Sequence, residues 1–67
     1  MYTVIGCLGS VVAQGVSLGD AVVTVLKQVP ISAKKVTAMR NALERLSVGR
    51  SYQVEYGGSG CTVTRSE

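Results

Sequence analysis

The sequence predicts a two-layer α+β domain, an antiparallel sheet of two hairpins with two helices on one face, in the order ββααββ. Three observations predict it. β-branched and aromatic runs lie at the two ends of the chain, at residues 2–7 (YTVIGC), 11–16 (VVAQGV), 52–56 and 61–64. Between them, two segments repeat apolar residues at helical spacing, divided by the single proline, Pro30. Finally, each pair of outer runs is joined by a few residues of turn chemistry, Leu8, Gly9 and Ser10 in the first and Gly57, Gly58, Ser59 and Gly60 in the second.

The first run places Tyr2 and Val4 on one side of a strand and Ile5 and Cys7 on the other. Apolar residues on both sides predict a strand covered twice or used in an interface, a dimer seam being one cover. Ser17 opens the first helix: Asp20 follows three residues later in a shortened capping box and suits the positive helix N-terminus. Leu18, Ala21, Val22, Val25, Leu26 and Val29 make its apolar stripe, leaving Gly19, Val23, Thr24, Lys27 and Gln28 outside. Pro30 ends the helix, because the residue before a proline is pushed out of helical space. Ser32 caps the second helix, which is expected to run to Leu46 or Ser47, with Gly49 as its left-handed stop. In the closing hairpin Tyr52, Val54 and Tyr56 alternate with Gln53 and Glu55, and Cys61 and Val63 with Thr62 and Thr64. Ser66 and Glu67 are expected to fray.

A chain of 67 residues makes one domain, 1–67, near the lower limit of independent folding. Without Trp or Phe its core is thin, a shortage that dimerisation or docking on a partner would relieve. Seven basic and four acidic residues permit an anionic partner. With no His, and with Asp20, Glu44, Glu55 and Glu67 scattered over different elements, neither catalysis nor a metal or cofactor site is expected. Cys7 and Cys61 lie outside any CxxC spacing; they pair if the end strands meet, or stay as buried thiols. Val4–Ile5–Gly6–Cys7 matches a bacterial lipidation box, but neither a basic start nor a long apolar run precedes it. No apolar run reaches the length of a membrane span, and a cytoplasmic protein is expected.

Function is expected on the second helix, SAKKVTAMRNALERL. At 100° per residue, Val36, Met39, Leu43 and Leu46 form its core stripe, and Lys34, Thr37, Asn41 and Arg45 the opposite one, with Lys35 and Arg40 on the flanks. Lys, Thr, Asn and Arg hydrogen-bond base edges in a major groove, and the flanking cations suit phosphates. Any exposed helix face also needs polar residues, and long basic side chains are a common choice. Two other groups have chemistry of interest. Tyr2, Tyr52 and Tyr56 would make a base-stacking platform if their face were open, or core if covered. The GGSG turn would cradle an anion or simply supply left-handed backbone angles.

A short helix, the tight link Val29–Pro30–Ile31–Ser32, a longer basic helix and then a glycine-turned hairpin preceded by Arg50 resemble the second half of winged helix-turn-helix DNA-binding domains over residues 17–65. The resemblance implies a transcription regulator whose second helix enters the major groove through Lys34, Thr37, Asn41 and Arg45. It also implies backbone contacts by Arg50 and Arg65. A hairpin stands here where that family has a further helix, and the tip of the hairpin lacks the family's basic residues. The competing expectation is a small inhibitor, of the kind phages and mobile elements encode, that binds and blocks a host protein complex such as a CRISPR complex. The first expectation predicts a nucleic-acid partner and a homodimer, the second a protein surface, acidic or apolar.

Overall fold

The computed structural model describes residues 1–6 and 8–67, Ser59 through its backbone. Its elements run β1 (Tyr2–Ile5), β2 (Val11–Val16), α1 (Leu18–Gln28), α2 (Ala33–Arg45), β3 (Ser51–Tyr56) and β4 (Ser59–Arg65). The four strands form one antiparallel sheet in the order β2-β1-β4-β3, so the first and last strands lie side by side in the middle. The expected ββααββ domain is therefore present, with the two hairpins joined through their inner strands.

Alternation along the strands decides which sheet face the helices cover. Tyr2, Val4, Val54, Cys61 and Val63 are buried in one core with Ala21, Val22, Val25 and Val29 of the α1 region, Ile31 of the link, and Met39 and Leu43 of α2. The opposite face is built from Thr3, Ile5, Thr62, Thr64, Ser51, Gln53 and Glu55. Ile5 is half-buried there, and Leu26 and Leu18 of the expected α1 stripe are, respectively, 38% exposed and half-buried. Ala21, Val22, Val25 and the cap Val29 lie within about 100° of one another round the helix axis, and Leu26 falls about 40° beyond that arc. α1 packs over β1, β2 and β4; α2 lies beside it, over β3.

Both caps form as expected: Ser17 Oγ accepts the Asp20 amide at 3.3 Å and Ser32 Oγ the Lys35 amide at 3.3 Å. Val29 leaves α1 in an extended conformation ahead of Pro30. The end of α2 differs from expectation. Leu46 is its C-cap, with φ −69° and ψ 131°, and Gly49 instead occupies the turn into β3 at φ 86°. There its amide donates to the Arg65 carbonyl at 2.7 Å, so the glycine serves the sheet rather than the helix. The second hairpin turns on Gly57 and Gly58 alone, at φ 54° and 88°, while Ser59 and Gly60 already belong to β4. Two consecutive positive φ values are the geometry that matches the twist of a two-residue hairpin, and glycine adopts them without penalty.

The C-terminal residues are tied down, contrary to expectation: the Ser66 amide donates to the Met1 carbonyl at 2.9 Å. The strand expected over residues 2–7 ends at Ile5. Expectations for Cys7, including its pairing with Cys61, lie outside the described residues.

Candidate functional site

The second helix emerges from the fold with its chemistry outward. Met39 and Leu43 are its two buried residues, Val36 and Leu46 pack half-buried against the same core, and Lys34, Lys35, Thr37, Arg40, Asn41 and Arg45 are all exposed. The helix holds four of the seven basic residues against one acid, Glu44, and so carries the whole net charge of +3. Elsewhere the charges cancel. Met39 and Leu43 are spaced by four and so point to the sheet together, which turns Thr37 and Asn41 directly away from it.

Several anchors fix how this face is presented. The Tyr2 hydroxyl, buried under the helix, donates to the Leu43 carbonyl at 2.8 Å. Arg65 reaches from β4 to the end of α2, its guanidinium donating to the Leu46 carbonyl at 2.7 Å and through Nε to the Glu67 carbonyl at 3.0 Å. A cation at the negative end of a helix is favourable, and a charged hydrogen bond is among the stronger ones. Arg65 is thus occupied in holding α2 to the sheet. Arg50, its partner across the β3–β4 ladder, is exposed next to the C-terminal end of the helix.

Within the outer stripe Thr37 donates its hydroxyl to the Ala33 carbonyl at 3.1 Å, so the hydroxyl proton is used inside the helix. Lys35 lies on the flank facing β3 and Arg40 on the other, five residues and hence about 140° round the helix. Beside Lys35 a cleft of about 240 Å³ separates α2 from β3.

The tyrosine group divides. Tyr2 is 6% exposed and hydrogen-bonded, Tyr52 is half-buried against Val63, and Tyr56, beyond the helices, is 44% exposed. Their common face is therefore core rather than an open stacking surface. Among the described residues no three His, Cys, Asp or Glu side chains come together as a metal-binding group, and no helix is long and apolar enough to cross a membrane.

The first hairpin, expected to be covered twice or used in an interface, leaves an apolar surface open. Leu8, Val11 and Val12, at the first turn and on edge strand β2, are 91%, 56% and 41% exposed. Apolar residues on both sides of the hairpin gave the signal, but strand alternation does not say which side a neighbour covers. Comparison with known proteins finds no matching family, no similar curated protein and no similar solved structure.

Proposed function

We propose that the protein is a small DNA-binding regulator that lays α2 in the major groove, with the β3–β4 hairpin beside the backbone. The observation that carries this reading is the concentration of the entire net charge on one helix whose exposed outer stripe interleaves Lys34 and Arg45 with Thr37 and Asn41. From Lys34 to Arg45 the stripe spans roughly 16 Å, the length of about five base-pair steps, and a major groove about 12 Å wide admits a helix. Asn41 suits an adenine edge, and Arg45 and Lys34 suit guanine. Thr37, its hydroxyl engaged, offers its methyl to thymine. Arg40 and Arg50, both exposed, would take phosphates, and Lys35 would border the groove on the sheet side. Arg65 is left out of the contact set because it already holds α2 in place. A homodimer would double this small charged surface and read two half-sites.

The test is a titration into mixed duplex DNA at 50 and 200 mM salt, with the solution mass determined in the same buffers. Two phosphate contacts per chain, four in a homodimer, would weaken binding on the order of a hundredfold across that range. Absence of binding at the lower salt overturns the reading. A second reading, an inhibitor that blocks a protein complex, draws on exposed Leu8, Val11 and Val12. It predicts a protein target bound with little dependence on salt.

A further inference from the structure

We propose that the cleft between α2 and β3 is a strand-addition site, which takes an extended segment of a partner protein bearing an acidic residue beside Lys35. The inference rests on the sheet edge and stands apart from DNA binding by the outer stripe.

β3 is the last strand of the sheet, paired only with β4. The phase of that ladder is set by the Arg65 amide, which donates to the Arg50 carbonyl at 3.0 Å. Because partners alternate in an antiparallel pair, Tyr52, Val54 and Tyr56 direct their backbone groups to β4, and Ser51, Gln53 and Glu55 direct theirs to the open edge. Among the described residues, none of the turn, cap or side-chain hydrogen bonds engages these three backbones.

The two edges of the sheet differ in kind. β2 is irregular at two points in its pairing with β1, and Gly15 within it has φ 65°. Bulges of this sort disturb the straight row of donors and acceptors that another strand would need. β3 keeps one register over six residues and carries neither proline nor lysine. It is the edge on which a strand can be continued.

The cleft supplies what side chains of such a strand would meet. Ile31, Met39, Tyr52 and Val54 make an apolar floor, with Ala38 and Lys35 on the helix wall. Alternate residues of an added strand would project over this floor, while the others lie on the polar sheet face with Gln53 and Glu55. Charge selects the occupant. Lys35 is the cation that lines the cleft, with the rest of the +3 of α2 round the helix, and it favours an acidic residue on the helix side, away from Glu55 on the strand side. The same charge opposes a second copy, since β3 joined to β3 would bring two such helices to one side of a continuous sheet.

The experiment uses the whole chain and a synthetic heptapeptide alternating threonine and valine, with glutamate replacing one terminal valine. Amide exchange and chemical shifts are followed by NMR. Binding is expected to slow exchange at Ser51, Gln53 and Glu55 about tenfold or more and to leave the β2 amides unchanged. Lys35→Glu is expected to weaken this peptide about tenfold, and a peptide with lysine in place of glutamate to recover the loss. N-methylation of the peptide amides that face β3 removes binding. The proposal is overturned if the N-methylated peptide binds equally, if protection appears on β2, or if no edge amide responds at about 1 mM peptide. Protection that rises with protein concentration in the absence of peptide would identify a second copy as the occupant and overturn it equally.

Discussion

The two helices are built from similar lengths of chain and are held by different means. α1 buries Ala21, Val22 and Val25, with Val29 following, and lies across three of the four strands. Its outer surface offers little charge, and the exposed Val23 and Leu26 face solvent there. α2 buries only Met39 and Leu43 and depends on hydrogen bonds from Tyr2 and Arg65 to reach its final position. What it keeps exposed is four cations, a threonine, an asparagine, Glu44 and two alanines. α1 is a core element that happens to be a helix; α2 is a surface of chosen chemistry held in place by a few anchors.

This contrast can be broken in order of expected effect. Asn41→Ala combined with Arg45→Ala should remove about 2–6 kcal/mol of binding to duplex DNA, as two lost base contacts would. Unfolding free energy should stay within about 0.5 kcal/mol, because both side chains are exposed. Paired denaturation curves and DNA titrations check the division; normal DNA binding by the double variant would end the recognition-helix reading. Leu43→Ala should act oppositely, costing on the order of 2–5 kcal/mol of stability by opening a cavity at a fully buried site. Urea unfolding measures it.

Smaller changes sharpen the comparison. Arg65→Met keeps the apolar stem but removes the donors to Leu46 and Glu67. A loss of about 1.5–3 kcal/mol is expected, with faster amide exchange in the last turn of α2 and an unchanged salt slope for DNA. A reduced slope would return Arg65 to the phosphate-binding set. Ser32→Ala should cost about 1 kcal/mol through the lost cap on the Lys35 amide, visible as a lowered midpoint in thermal unfolding. The matching change at Ser17 should cost a similar amount, since the two caps share one geometry.

Much of the architecture was legible because its signals are local. Ser17, Ser32 and Pro30 mark helix boundaries through bonds made within a few residues, and strand alternation in 52–56 and 61–64 sets which side chains share a face. The register of these strands was not legible: Tyr52 opposite Val63 and Val54 opposite Cys61 follow from a turn on Gly57 and Gly58 alone, two residues shorter than the expected turn over 57–60. The misplacements have a different origin. Gly49 reads as a helix stop because its positive φ is evident in sequence, whereas its partner, the Arg65 carbonyl, is remote. Leu26 reads as core because periodicity counts apolar residues, yet it lies at the margin of the stripe, where it is 38% exposed. Arg65 reads as a free cation for the same reason that Ser66 reads as frayed: both are held by contacts across the fold.

The sequence by itself determined the order of the elements, their N-terminal caps, and which stripe of α2 is apolar and which is polar. These depend on backbone preferences and on spacings of two, three and four residues, which the chain carries locally. Only the tertiary structure decided that β1 and β4 would meet in the middle, leaving β2 and β3 as unlike edges, and that Arg65 would serve the end of α2. Strand order and long-range hydrogen bonds are settled by which surfaces bury one another when the whole chain closes, and no single segment contains that information.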